Sequence, residues 1–297
     1  MIYDVLILGG GTAGLSAALY CARFKLNCLL ITDVIGGTGN EAPKVDNWIG
    51  TPGISGLNLM KNFIAHVKST DVSLVNDTIL NIKQNSKKFS VKCKNGNYYS
   101  KTIINAMGMS HRKLNVPGEK EFSGKGVHSC YVCDGPLYKE KIVALVGGSD
   151  SAALGALFMA NYAKKVYLIY RGDKLKAEPI NKNLILKNSK IEVIYNSDIS
   201  KINGDDFVNS ISLGNKELKI DGLFVEIGFI PNSKLCGDLG IKLDKRSFIK
   251  VNSNLATNIP GFFAAGDISN STSLKQFITS ASQGSIAAQS VYLFLRN

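Results

Sequence analysis

An α/β fold of two doubly wound domains is what this chain predicts, and three observations predict it. A short apolar run at residues 3–8 leads into the turn Gly9-Gly10-Gly11-Thr12-Ala13-Gly14 and then a helical pattern at 15–22. The same order of strand, glycine turn and helix returns at 141–146, 147–152 and 153–162. Short strand-like runs fill 72–104 and 191–220, as inserted antiparallel strands do. Together these describe a three-layer ββα arrangement with two Rossmann-like nucleotide-binding domains.

The first unit carries the fuller fingerprint. Gly9 permits the tight turn, Gly11 lets the backbone approach a pyrophosphate, and Gly14 lets helix and strand pack closely. The helix start offers free N–H groups to phosphate oxygens. The next strand, 27–32, ends in Asp33, about 20 residues past the glycines, where a ribose hydroxyl would be held. Cys21 and Cys28 read as small core residues, and Trp48 as a core anchor.

Beyond this unit, the segment Gly36-Gly37-Thr38-Gly39-Asn40-Glu41-Ala42-Pro43 is rich in turn formers and reads as a loop placed to run under a cofactor. Residues 57–68 have helical spacing, with Leu59, Phe63 and Val67 on one face. Strands are expected at 72–80, 89–93 and 98–104, the last two as a hairpin around Asn95-Gly96. The buried run 102–107 ends in Gly108, where the chain turns near a cofactor, and Pro117-Gly118 is a hinge candidate.

Between the two glycine turns stands Cys130-Tyr131-Val132-Cys133-Asp134. Two cysteines at this spacing close a small disulfide ring, and in such motifs the first thiol ionises more readily than a free one. Asp134 is positioned to carry protons to and from the leaving sulfur. The competing reading, half of a zinc site, needs a second ligand pair, and Cys21, Cys28, Cys93 and Cys236 form no second Cys-x-x-Cys. No metal is therefore expected.

The second turn departs from the first: Ser149 stands at the middle glycine position of Gly147-Gly148-Ser149-Asp150-Ser151-Ala152. Its following strand, 165–170, ends in Arg171 rather than an acid, which suits a 2′-phosphate and so NADPH, with Lys174 and Lys176 in support. A basic surface turn is the plain alternative. Glu226 lies in an apolar run and needs a partner if buried. Strand character resumes at 247–251, and Phe262-Phe263-Ala264-Ala265-Gly266-Asp267 sets an acid after a buried strand. The last helix, about 277–295, has small residues at Ala281, Gly284, Ala287 and Ala288 that permit close packing on something flat or on another chain.

Composition excludes several classes. The hydrophobic fraction of 45% supports a core in each domain, and no apolar run reaches the length of a membrane span. The beginning at Met1-Ile2-Tyr3-Asp4 has no basic leader pattern, so the cytoplasm is expected. The net charge of +12 is scattered over lysines such as Lys61, Lys68, Lys83 and Lys92, which reads as a solvated basic surface that would favour an acidic redox partner over nucleic acid.

In this order, the first glycine turn, the Cys130–Cys133 motif with Asp134, the second glycine turn and Ala264-Ala265-Gly266-Asp267 resemble the low-molecular-weight thioredoxin reductases over essentially the whole chain. The resemblance implies an FAD domain at 1–113 and 244–297 enclosing a pyridine-nucleotide domain at 114–243, in a homodimer whose domains rotate during turnover. It implies that NADPH reduces FAD, FAD reduces the Cys130–Cys133 disulfide, and the dithiol reduces thioredoxin or a thioredoxin-like protein. Cys133 would face the flavin, Cys130 attack the partner, and Asp134 serve as acid.

The same resemblance assigns FAD to Gly9, Gly11, Thr12, Ala13, Gly14, Asp33, Gly37, Thr38, Asn47, Gly108, Gly266, Asp267, Lys275, Gln276 and Phe277. NADPH would be held by Gly147, Gly148, Ser149, Asp150, Ser151, Arg171 and Lys176. Thr38 replaces the family's glutamine, Lys275 its arginine, and Tyr170-Arg171-Gly172-Asp173 its His-Arg-Arg-Asp. These departures and the basic surface keep alternatives open: reduction by ferredoxin, NADH or another carrier, or a dithiol oxidase using oxygen.

Overall fold

The computed structural model describes residues 1–297 other than Pro43, Lys44, Asp46, Lys87 and Asn297, and only the backbone of Asp238. The chain forms two compact units, one of residues 1–110 with 231–297, the other of residues 111–230.

The first unit opens with β1 (Ile2–Leu8), α1 (Thr12–Arg23), β2 (Cys28–Thr32), α2 (Gly56–Lys68) and β3 (Ser73–Asn76), followed by β4 (Ile79–Asn85), β5 (Lys88–Cys93) and β6 (Asn97–Asn105). Its sheet runs β3-β2-β1-β6-β5-β4. β1 pairs in parallel with β2 and β6, whereas β4, β5 and β6 form an antiparallel meander. The hairpin expected around Asn95-Gly96 is there, with Phe89 opposite Ser100.

The single strand expected at 72–80 is instead two strands, β3 and β4, that pair with different neighbours. The break sits at buried Asp77, whose carboxylate accepts from the N–H of Thr78 at 2.8 Å and of Asn95 at 3.1 Å. A side chain that captures backbone donors from two segments ends the ladder there.

Alternation along β1 sends side chains to both faces of the sheet. Val5 and Ile7 bury against Ala17, Ala18 and Cys21 of α1, while Leu6 and Leu8 bury against Phe89, Val91 and Ile249 on the other side. Covering both faces is what lets a parallel strand be apolar throughout. Cys21 and Cys28 are both in this core. Trp48 packs on Phe63 with ring centroids 4.9 Å apart, beside Val45, Leu59 and Met60.

The chain leaves and re-enters this unit through β7 (Met109–His111) and β16 (Phe229–Pro231), which pair with each other. Between them lie β8 (Val127–His128), α3 (Tyr131–Asp134), β9 (Ile142–Val146), α4 (Asp150–Met159), β10 (Lys165–Ile169), α5 (Pro179–Lys187), β11 (Ile191–Ile194), β12 (Lys201–Gly204), β13 (Val208–Leu213), β14 (Lys216–Lys219) and β15 (Gly222–Val225). A parallel sheet of order β11-β10-β9-β15-β8 has α4 and α5 on one face and the antiparallel sheet β12-β13-β14 on the other. Val143 and Leu145 bury against Ala152, Ala156 and Met159, whereas Ala144 and Val146 bury against Ile202, Val208 and Ile211.

After β16 the chain returns to the first unit. Cys236 and Ile241, from the stretch the sequence reading gives to the inserted domain, are buried there with Leu6, Leu8 and Ile249. Residues 247–251 form no strand, only isolated bridges of Ile249 to Leu243 and to Ser269. β17 (Phe262–Ala264) joins the sheet beside β6, and α6 (Phe277–Phe294) closes the chain. The small residues of α6 are spent on α1: Gly284 lies over the Ala13 carbonyl, and the Ser16 hydroxyl donates to Ala281 O at 2.6 Å. Among the described residues, no helix is long and apolar enough to cross a membrane.

Candidate active site

A cleft in the first unit is built on the turn between β1 and α1. Gly9 takes φ +105°, and a Cβ there would sit 2.4 Å from Ala106 O. A Cβ on Gly14 would sit 1.9 Å from Gly9 O, so helix and turn touch only because it is absent. At Gly11 a Cβ would meet nothing among the described residues nearer than Gly36 O at 4.0 Å, so the turn presents bare backbone. Among the described residues no side chain caps the α1 N-terminus, which leaves its N–H groups available to an anion.

Gly11, Thr12, Ala13, Thr38, Gly108, Gly266, Asp267, Lys275, Gln276 and Phe277 line this cleft. Gly9, Gly14 and Gly37 are not among its lining residues; Gly9 and Gly14 set the turn that carries Gly11, and Gly37 packs on Gly11. Asn47 joins it through Gln276, donating Nδ2–H to Oε1 at 2.9 Å. Asp33 stays exposed, and its carboxylate accepts from Val34 N at 2.9 Å. Ser280 was not legible as a site residue; it donates to Asp267 at 3.1 Å.

Burial pushes the Asp267 carboxyl above its ordinary range, against the opposing pull of Ser280 and Lys275. Burial likewise holds Lys275 below the ordinary lysine value, against the charge of Asp267. Lys275 also donates to Ser269 O at 2.5 Å and lies 4.8 Å over the Phe248 ring. The Gly266 N–H is taken by Gln283 at 2.7 Å. A bare glycine turn, an uncapped helix start and a partly desolvated acid suit a dinucleotide, whose phosphates meet the helix and whose hydroxyls meet a carboxylate.

In the second unit, Cys130 and Cys133 are joined in a disulfide with Cα atoms 5.4 Å apart. Cys130 caps α3, its sulfur accepting from Cys133 N at 3.1 Å. Cys133 is exposed and Cys130 half-buried. Two glycines seat this turn: a Cβ on Gly135 would fall 2.7 Å from Met159 Sδ, and one on Gly155 would fall 2.9 Å from the Tyr131 ring. Burial, then the charge of Glu226, pushes the Tyr131 phenol up to about 12, so it stays neutral.

Asp134 has a partner that spacing did not reveal. Its Oδ2 lies 3.0 Å from His128 Nδ1, and His128 Nε2 lies 2.7 Å from the Tyr138 hydroxyl. The histidine comes from an edge strand and the tyrosine from the turn after α3, so neither shares a periodic pattern with Asp134. The signal open to a reader of the sequence was a histidine two residues before the dithiol.

The second glycine turn is more enclosed. Gly147 takes φ +150°, and a Cβ on Gly148 would strike the Tyr170 ring at 2.3 Å. Lys176 N donates to Gly148 O at 2.7 Å, and the Asp150 carboxylate accepts from Glu178 N at 2.8 Å and Asn181 Nδ2 at 2.9 Å. Ser151 donates to Glu226, the partner this buried acid required. Ser149 is the N-cap of α4 without a side-chain bond to it, and Arg171 and Lys176 are exposed.

Comparison with known proteins agrees with this anatomy. Residues 3–284 match the family model described as pyridine nucleotide-disulphide oxidoreductase. Thioredoxin reductase of Bacillus subtilis is 36% identical over 298 residues, covering 98% of this chain and 94% of the relative. The crystal structure of Lactococcus lactis thioredoxin reductase is similar at a TM-score of 0.90 and 33% identity, covering 99% of each chain. A ferredoxin-flavin thioredoxin reductase from Clostridium acetobutylicum has a TM-score of 0.55 at 31% identity, covering 99% of this chain and 98% of that one. Proteins of this kind couple a flavin and a pyridine nucleotide to a disulfide. With two glycine-turn units and a disulfide between those turns in sequence, the chain belongs to the pyridine nucleotide-disulphide oxidoreductases, in the low-molecular-weight thioredoxin reductase family.

Proposed function

We propose that this chain is a thioredoxin reductase that takes electrons from NADPH through FAD to the Cys130–Cys133 disulfide and on to thioredoxin or a thioredoxin-like protein. The single observation that carries the reading is the accessible Cys130–Cys133 disulfide with Asp134 beside it on α3. FAD, when bound, supplies a store for an electron pair. The first-unit cleft would hold it, with backbone N–H groups of α1 toward its phosphates, Asp267 accepting from a hydroxyl, and Lys275, Gln276 and Phe277 lining the space. The FAD domain is then the first unit and the nucleotide domain the second.

NADPH would rest on the Gly147–Ser151 turn, where the N-terminus of α4 is free of side-chain capping and Arg171 and Lys176 offer cations to a 2′-phosphate. Cys130 is the sulfur that attacks the partner, Cys133 the one that accepts electrons, and Asp134 the proton carrier. The cytoplasm, where thiols are kept reduced, suits a dithiol of this kind. Exposed apolar side chains on α6, among them Ile278, Leu293 and Phe294, support assembly as a homodimer.

A second reading changes only the donor. The Tyr170 ring over Gly148, the Asp150 carboxylate at the start of α4 and the likeness to a ferredoxin-flavin enzyme favour a non-nicotinamide carrier docking on the basic surface. Anaerobic titration of the flavin-loaded protein with NADPH, then NADH, then reduced ferredoxin separates the two. Bleaching of the flavin by NADPH is the expected result. Bleaching by ferredoxin alone, suppressed by salt, selects the second reading, and reduction by none of the three while dithionite succeeds sinks both.

A further inference from the structure

We propose that His128 is a positioning residue for the dithiol, holding the Asp134 carboxylate in place beside Cys133. The inference rests on the reading of Asp134 as the acid-base group, and it extends that reading to two residues outside the Cys-x-x-Cys motif.

The geometry is that of an oriented chain of three side chains. His128 Nδ1 is 3.0 Å from Asp134 Oδ2, while Nε2 is 2.7 Å from the Tyr138 hydroxyl. With the phenol donating to Nε2, the ring proton must sit on Nδ1 and point at the carboxylate. Burial, then the charges of Asp134 and Asp221, raises the Tyr138 phenol above its ordinary value, so it remains a donor. The imidazole is itself locked: its side chain is 9% exposed, it stacks on Phe224 at 5.3 Å and meets Tyr138 edge-on at 5.5 Å. Strand β8 fixes its backbone, with His128 opposite Phe224 of β15. Asp221, whose charge acts on Tyr138, pairs with Lys141 at 3.6 Å.

A donor aimed at a carboxylate from a locked ring fixes the direction in which its oxygens point. In the outward half-reaction the Cys130 thiolate attacks one sulfur of the partner's disulfide, whose S–S bond breaks and whose other sulfur leaves as a thiolate. The Asp134 carboxylate takes the proton of the Cys133 thiol. The Cys133 thiolate then attacks Cys130 Sγ, re-forming the Cys130–Cys133 bond and releasing the partner's second sulfur. Two electrons pass to the partner, and the proton on Asp134 goes to one of its thiolates.

The test uses the full-length protein, reduced with a small dithiol and desalted, and reads the rate of Cys133 alkylation by iodoacetamide at neutral pH by mass spectrometry. Loss of the carboxylate in Asp134→Asn slows that alkylation several-fold. His128→Leu slows it by about the same factor, and His128→Asn, whose amide can replace the Nδ1–H donor, restores it. In an Asp134→Asn background His128→Leu adds nothing. An unchanged rate in His128→Leu, or no recovery in His128→Asn, overturns the positioning role. An unchanged rate in Asp134→Asn overturns it by removing Asp134 as the group concerned. Nicotinamide plays no part in this measurement, so failure of the donor reading cannot be mistaken for failure here. Should His128→Leu not fold, Tyr138→Phe removes a single oxygen and slows the alkylation by a smaller factor; no change there counts against the proposal in the same way.

Discussion

Gly284 of α6 faces Ala13 of α1 so closely that a Cβ on the glycine would lie 2.2 Å from the Ala13 carbonyl oxygen. The contact also brings α6 to the cleft, since Ser280, one turn earlier, donates to Asp267 at 3.1 Å. Gly284→Ala therefore cannot be absorbed by a side-chain rotation, because the obstructing atom is backbone. We expect it to destabilise the first unit by about 1–3 kcal/mol, the usual cost of overpacking. Urea unfolding followed by circular dichroism, with flavin retention after gel filtration as a second readout, checks it. An unchanged midpoint would mean that the helices separate freely.

Asp267 is the acid whose titration folding alters most directly in that cleft. Its folded pKa is raised above 3.8 by burial, so the folded state binds a proton more tightly than the unfolded state does. The stabilisation this gives is fully present below the unfolded pKa and disappears as pH rises through the folded one. Asp267→Asn removes that dependence: the flavin-free variant gains stability relative to wild type as pH climbs from the ordinary carboxylate range toward neutrality. Denaturation midpoints of both proteins across that window are the measurement, and parallel curves would contradict the assignment.

What the sequence disclosed and what it hid divide on a physical line. The β1–Gly9-to-Gly14–α1 unit was legible because each glycine answers a contact within a few residues or one strand away, and alternation along β1 names both buried faces. The break at Asp77 was hidden because its partner, Asn95, is 18 residues away, beyond both β4 and β5, and only the folded sheet brings it near. The small face of α6 was legible as a close contact but not as one with α1, since small residues state a distance without naming a neighbour. His128 and Tyr138 were hidden for the same reason: they meet Asp134 from an edge strand and a turn, elements with no periodicity to betray a shared direction.

Arg171 separates phosphorylated from unphosphorylated nicotinamide. It is exposed two residues past β10 and follows Tyr170, whose ring packs over Gly148. If a 2′-phosphate sits there, losing the guanidinium costs a charge-assisted bond of about 1.4–3 kcal/mol, or roughly ten- to a hundredfold in affinity. Arg171→Ala should raise KM for NADPH by that factor while leaving KM for NADH within about twofold. Equal effects on the two nucleotides would show that the arginine does not read the phosphate.

Cys133→Ser isolates the dithiol from the step that precedes it. Cys133 shares its disulfide with Cys130 and is exposed, so serine fits without repacking, and the flavin cleft, built wholly from residues of the other unit, is untouched. Flavin bleaching by the electron donor should proceed at close to the wild-type rate. Turnover with a protein disulfide should fall to background, because a lone Cys130 can form a mixed disulfide but has no second sulfur to resolve it. Trapping that mixed disulfide on a non-reducing gel and seeing it vanish with dithiothreitol would fix Cys130 as the attacking sulfur. Persistent multiple turnover in Cys133→Ser would instead show that electrons reach the partner without passing through this disulfide.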